Sequence, residues 1–349
     1  MKSFLIFILV GLFSASAESP LTNFLDTPLK EGQDTVYSPS LQLVWDRLKE
    51  KAGGSIEMED QPLLVNQLND RKLADKYFPE GSILALAGEY RRSQVPKLEK
   101  SLKRKYGKDA PDLPKGLYKS GKNFVAFSYF SRDLSFIQTL DPFADKAMPF
   151  LTADGVKSVK AFGTQAATAN IQIFDYQDKN HFTLYIKSNV KDEYFILSKI
   201  AKPATMQAAV EHAYQAVRQK RSAFTRFDIG DERVIYMNDI RDGDVFAIPF
   251  IQFDLSKNYE ELLNKKILNE KFAGLGLKAA SEQVKFELHE KGLSADAKAV
   301  EENHFAEASK PRKFVFNKPF LLSVWRKGAK EPYLAMWIET TNFMSSVAK

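Results

Sequence analysis

Four histidines, no cysteine and scattered carboxylates are what this chain of 349 residues offers to chemistry. His181, His212, His289 and His304 never recur at i+3 or i+4, so no helix face presents a histidine pair to a metal. His289 alternates with Phe286 and Leu288 and is expected on the solvent side of a strand. Without cysteine there is no thiolate nucleophile, no lipid-anchor cysteine and no cysteine-type zinc site. Glu57, Glu59 and Asp60, and the pair Glu301/Glu302, lie in polar stretches and read as solvated faces, not acid–base dyads. Gly274-Leu275-Gly276 comes nearest to a phosphate cradle. It lacks a third glycine and no strand leads into it, so a turn is expected. No nucleophile elbow or phosphate-binding loop occurs. The expectation is a chain that is not an enzyme, with no metal and no cofactor.

One charged constellation stands out. Lys97, Lys100, Lys103, Arg104 and Lys105 surround an apolar stripe of Val95, Leu98, Leu102 and Tyr106, with Arg91 and Arg92 just before it. The stripe has helical spacing, so the basic side chains share the outward face. They form either an ordinary solvated face or a patch for polyanions such as polysaccharide or lipid head groups. The net charge of +6 is mild for this length and does not by itself imply nucleic acid.

The elements that must carry these residues divide along the chain. Leu41, Val44, Trp45 and Leu48 mark a helix that Gly53-Gly54 ends, with Pro39 and Ser40 at its start as a first-turn proline and a capping hydroxyl. Ile83–Tyr90 reads as helical and rich in small residues, and Val95–Tyr106 as a helix closed by Gly107. Pro111 and Pro114 make the next stretch a loop. The period then changes to two. Asn123–Phe130, Asn170–Gln177, Phe182–Lys187, Glu193–Ile200, Arg233–Ile240, Val245–Leu255, Gln283–His289, Phe314–Trp325 and Tyr333–Ile338 read as strands, with a helix at Met206–Arg218. So many apolar strands need more than one sheet, with helices packed outside: an α+β architecture.

The N-terminus addresses the chain for export. Lys2 is a short positive region, Phe4–Phe13 an apolar run too short to span a bilayer, and Ser14-Ala15-Ser16-Ala17 a small-residue cleavage pattern. Residues 1–17 are therefore expected to leave as a signal peptide, with a mature start at Glu18. No other segment has membrane-span length without charges. A chain this long buries roughly three quarters of its unfolded surface and needs no disulfides. A large exported protein without cysteine suggests a secreted or periplasmic bacterial protein.

Val284–Glu339 carries a resemblance. The strand VKFELHEKG runs into the segment LSADAKAV, a polar stretch follows, and the chain returns through FNKPFLLSVW and PYLAMWIE. This resembles the C-terminal part of a serpin, where a strand of the central sheet leads through an E-x-G hinge into a mobile reactive loop. Glu290-Lys291-Gly292 matches the hinge, and Phe316-Asn317-Lys318-Pro319-Phe320 the F-N-x-P-F return. Upstream, Ser38-Pro39-Ser40 is similar to the opening of the family's buried helix. Phe124–Phe130 with Asp141-Pro142-Phe143 is similar to its N-A-x-Y-F strand. Ala247–Ile251 with Tyr259–Leu262 resembles its L-P-K-F strand and following helix, and Leu275-Gly276-Leu277 its L-G-M turn. Two departures stand out. Leu134 or Phe136 replaces a tryptophan, and the stretch from Ser40 to Phe130 is short, so the N-terminal helical part is expected to be reduced.

The resemblance implies one serpin-like domain over residues 18–349, with a reactive loop at 290–313. It also implies a suicide-substrate mechanism, in which a protease cuts the loop and the loop enters the main sheet as a strand. Leu293, Ala295, Ala297 and Ala299 lie on one side of an extended segment, while Ser294, Asp296 and Lys298 lie on the other. The family's spacing places the scissile bond at Ala306–Glu307, which suits an elastase- or subtilisin-like protease. Lys310 is followed by Pro311, and Arg312–Lys313 abuts a strand. A second function stays open. Leu293 is large where loop entry begins, and Ser294–Ala308 is also a fair helix, which fits a non-inhibitory serpin-like binding or structural protein.

Overall fold

The computed structural model describes residues 19–73, 76–142, 147–221, 227–229, 233–235, 239–290 and 311–346. Four α-helices lie among them: α1 (Ser40–Ala52), α2 (Leu63–Asn69), α3 (Val95–Tyr106) and α4 (Met206–Arg221). Among the described residues the β structure forms three sheets of four or more strands and two two-stranded sheets, as the density of period-two runs demands. The α+β class expected from the sequence is the observed one.

The largest sheet has eight strands. Their order is Leu21–Thr22, Thr35–Tyr37, Leu334–Ile338, Phe320–Arg326, Glu193–Lys199, His181–Lys187, Thr168–Asp178 and Asp239–Ile240. One face meets the main core, where Phe195, Leu197, Phe182, Leu184, Leu322 and Val324 are buried together. The other face is covered by α4, whose Met206, Ala209, Val210, Ala213 and Val217 pack on Trp325, Trp337 and Ile196. Both faces are buried, so the runs EYFILSK and FLLSVWR are apolar on both sides. Each large side chain buried in this way contributes about 1.5–3 kcal/mol.

A second sheet has the order Ile251–Asn258, Leu277–His289, Lys122–Ser135, Ile83–Arg91. Alternation on Lys122–Ser135 feeds two cores. Phe124 and Ala126 face α1, while Val125, Phe127 and Tyr129 face α3. A third sheet orders Lys313–Val315, Val245–Pro249, Ala161–Thr164 and Asp141–Pro142.

Several expectations are corrected here. Ile83–Arg91 is an edge strand, not a helix: its residues pair with Lys122–Ser135 from Ile83↔Phe130 to Arg91↔Lys122. The helix preference of its Ala and Leu residues yields to sheet pairing, and α1 protects the open edge. Arg47 Nη1 donates to the Ala85 carbonyl at 2.7 Å, and Lys51 Nζ to the Ala87 carbonyl at 2.6 Å. Val245–Leu255 is two strands in different sheets, broken after Pro249. Phe314–Trp325 likewise divides into Lys313–Val315 and Phe320–Arg326, and Arg233–Ile240 into Arg233–Ile235 and Asp239–Ile240. Helix α1 begins at Ser40 and ends at Gly53, whose φ of +86° suits glycine. Pro39 occupies the N-cap, with no side-chain capping bond, and Ser40 is the first helical residue, not the cap. Asn23 Oδ1 accepts the Leu41 N–H instead, at 3.1 Å.

Candidate functional site

The expected hinge strand is Leu277–His289. VKFELH alternates as predicted: Val284, Phe286 and Leu288 are buried, and Lys285, Glu287 and His289 half-buried. His289 Nε2 lies 2.9 Å from Asp133 Oδ1, so this histidine is less open than its alternation suggested. The strand runs parallel beside Lys122–Ser135, from Leu277↔Phe124 to His289↔Ser135, with no strand between them. At its upper end the Glu290 carbonyl accepts the Leu140 N–H at 3.1 Å. The remaining hinge and loop candidates, Gly292, Leu293, Ala295, Ala297, Ala299, Ala306 and Glu307, lie outside the described residues.

The chain resumes at Pro311 and enters another sheet, where Lys313–Val315 lies parallel to Val245–Pro249. Arg312 is locked there. Its Nη2 lies 2.6 Å from Asp244 Oδ2, its backbone N–H donates to Asp244 Oδ1 at 2.8 Å, and its carbonyl accepts the Val245 N–H at 2.9 Å. Burial pushes the Asp244 carboxyl up, but Arg312 and the N–H groups of Arg241 and Arg312 outweigh it and hold it below the usual range. A protease would have to break this set of bonds to reach Arg312–Lys313. The return motif is anchored in turn by Lys199, whose Nζ donates to Asn317 Oδ1 and to the Val315 carbonyl, both at 2.8 Å. Burial, with Lys318 nearby, lowers the Lys199 ammonium to about 8.

Directly under the seam lies a buried polar cluster that sequence reading missed. Glu282 of the hinge strand sits opposite Ser128 in the register. Its Oε2 accepts from Ser40 Oγ at 2.9 Å, and Ser40 Oγ also lies 2.9 Å from Ser128 Oγ. Its Oε1 accepts from Asn23 Nδ2 at 3.1 Å and from the Tyr259 hydroxyl. Burial pushes the Glu282 carboxyl above the usual range, against the lowering effect of Tyr259, Ser40, Lys257 and Asn23. Burial and the adjacent Glu282 push the Tyr259 phenol up as well, so it stays a donor. The cluster ties the two seam strands to α1. The only sequence signal was a glutamate interrupting an otherwise small and apolar strand start, AASEQV.

The opposite face of the seam is covered by α3 and the segment that follows it. Val95, Leu102, Leu113 and Leu117 pack on Leu86, Phe127, Tyr129 and Ala279. Gly116 touches the hinge strand so closely that a Cβ there would meet the Lys278 carbonyl oxygen at 2.1 Å. Lys285 pairs with Asp109, and the Tyr129 hydroxyl donates to the Asp109 carbonyl at 2.5 Å. Arg91, Arg92, Lys97, Lys100, Lys103 and Arg104 are all exposed on the outward side, as the helical spacing required. Gly274-Leu275-Gly276 is a turn, with the Leu275 N–H donating to Phe272 and Gly276 pressed against the 264–265 backbone. Among the described residues no helix is long and apolar enough to cross a membrane.

No protein-family model matches the chain, and no curated protein matches it by sequence. Solved structures do. A crystal structure of native protease nexin-1 with heparin matches with a TM-score of 0.53 at 11% identity, over 88% of this chain and 92% of that one. This chain has the serpin fold. Serpin48 of the insect Tenebrio molitor matches over the same shares at 11% identity, with a TM-score of 0.49. The two parallel strands pair directly from Ala279↔Val125 to His289↔Ser135, with one register shift before them, between Leu277 and Ala279. Leu134 and Phe136, one of which stands where the family resemblance leads to a tryptophan, are both buried, with Phe136 edge-on to Phe195 at 5.2 Å.

Proposed function

We propose that this chain is an exported protease inhibitor that acts as a suicide substrate through the 290–313 loop. Proteins of this fold are in general protease inhibitors and not enzymes. The observation that carries the reading is the direct parallel pairing of Leu277–His289 with Lys122–Ser135, continuous from Ala279 to His289 after one register shift between Leu277 and Ala279. A loop leaving the end of Leu277–His289 and folding back between these strands would run antiparallel to both. One parallel ladder would be exchanged for two antiparallel ones, which are slightly more stable per residue and supply extra hydrogen bonds. That gradient favours insertion once cleavage frees the loop. Ala295, Ala297 and Ala299 are small enough to enter a face already packed. Exposure of the basic face of α3 supports polyanion binding as a second property, in keeping with the heparin present in one structural neighbour.

The second reading is a binding protein whose seam stays shut. The Gly116 contact and the Lys285–Asp109 pair, which brace the hinge strand from outside, favour it. Incubation with an elastase- or subtilisin-like protease separates the two. Inhibition requires a covalent complex on a denaturing gel and a released fragment that starts at Glu307. Clean cleavage with the protease still fully active would refute it and leave the binding protein. Intact mass of exported material tests the mature start at Glu18; retention of residues 1–17 would refute that start.

A further inference from the structure

Three side chains kept apart by sequence converge between the eight-stranded sheet and α4. Asp175 lies on Thr168–Asp178, His181 opens the neighbouring strand His181–Lys187, and His212 projects from α4. His181 Nε2 and His212 Nε2 are 3.0 and 3.2 Å from the same oxygen, Asp175 Oδ2. All three donor atoms fall within 4.8 Å of one another. The edge of a zinc tetrahedron with bonds near 2.0–2.1 Å is about 3.3–3.4 Å. The two carboxylate–imidazole separations are already close to that.

The local backbone is shaped for this meeting. The ladder between the two strands jumps from His181↔Asp178 to Thr183↔Phe174, so Phe182 faces a bulge containing Asp175. Asp175 takes a φ of +50°, a left-handed conformation that swings its side chain out of ordinary strand alternation. Gln177 Nε2 donates to Asp175 Oδ1 at 3.4 Å and leaves Oδ2 toward the imidazoles.

A plain hydrogen-bonded triad does not account for His212. Its Nε2 is buried and has no hydrogen-bond partner, although Asp175 Oδ2 is only 3.2 Å away. The two atoms are near each other at an angle that makes no hydrogen bond, as donors do when their lone pairs point at a common third atom. An orphaned buried nitrogen is costly, and a bound cation removes that cost.

We propose that Asp175, His181 and His212 bind one divalent metal ion of the zinc class and so pin α4 to the sheet. Two imidazoles and one carboxylate suit zinc and its first-row neighbours over calcium or magnesium. The three side chains are 29%, 28% and 38% exposed, so a water molecule can complete the tetrahedron. The site is independent of the seam and of the inhibitor reading.

Calorimetric titration of the chelator-treated chain with zinc chloride tests it. The chain has no cysteine and only four histidines, so few other groups compete. One equivalent should bind with micromolar or tighter affinity, with no heat from magnesium. At about 100 times Kd, zinc should raise Tm by roughly 4 °C. His181→Gln and His212→Gln should each weaken binding at least about tenfold. Histidine-detected NMR of the unaltered protein asks the same question without a variant: zinc should move the ring nitrogens of His181 and His212 and leave His289 and His304 in place. No saturable uptake at millimolar zinc, unchanged affinity in both variants, or shifts at His289 or His304 instead would each overturn the site.

Discussion

Glu282 is the centre of the buried polar cluster that ties the two parallel strands to α1. It is fully buried, and its carboxyl is held above the ordinary range by desolvation. A carboxyl whose folded value is raised contributes stability below its unfolded value, and that contribution is lost as pH rises through the folded value. Stability of the whole chain should therefore fall between the ordinary carboxylate range, about 4.3, and the raised value of Glu282. Glu282→Gln keeps the shape and most of the hydrogen bonds and should flatten that segment of a urea-midpoint-versus-pH curve. An unchanged curve would place the titration elsewhere. Glu282→Leu leaves the Tyr259 hydroxyl without its acceptor and removes one partner each from the Asn23 amide, which keeps Tyr259, and the Ser40 hydroxyl, which keeps Ser128. It should cost about 3 kcal/mol in urea unfolding.

Helix α3 and the segment after it do two separate things at the scale of an element. The inward side braces the hinge strand through Gly116, where any Cβ collides with the Lys278 carbonyl. Backbone does not yield as a flexible side chain does, so Gly116→Ala must lift the segment away. We expect a loss of about 1–3 kcal/mol by urea unfolding. If the brace restrains the seam, loop insertion after cleavage should also be faster. Stability equal to wild type would show that the contact is slack. The outward side is a separate matter, because its lysines and arginines are exposed. Lys97→Ala/Lys100→Ala/Arg104→Ala should change stability by no more than about 0.5 kcal/mol per site, while heparin or lipopolysaccharide retention falls. Unchanged retention would make this a solvated face and nothing more.

For the molecule as a whole, the question is whether the observed sheet arrangement is its lowest state. In the inhibitor reading, Leu277–His289 paired in parallel with Lys122–Ser135 leaves a better-paired antiparallel arrangement available once the 290–313 segment is cut. Limited proteolysis within 291–310, followed by thermal melting, measures this directly. A large rise in Tm marks insertion of the freed strand. A Tm equal to that of the uncut protein would mean that the loop is inert and the seam permanent.

Much of this was legible in one dimension. The period-two run VKFELH and the apolar run EYFILSK announced strands, and Gly53 and Gly107 marked helix ends. These signals are local, because side-chain alternation and backbone conformation are set within a few residues. The tertiary structure decided the rest. Ile83–Arg91 became a strand because Lys122–Ser135 offered it a ladder, and α1 offered donors for its edge. The run through Pro249 split because two sheets claimed its halves. Glu282 found Ser40, Ser128, Asn23 and Tyr259, and Asp175 found His181 and His212, through contacts between distant segments. Which polar groups meet in a core depends on how whole sheets and helices stack, and no local periodicity encodes that.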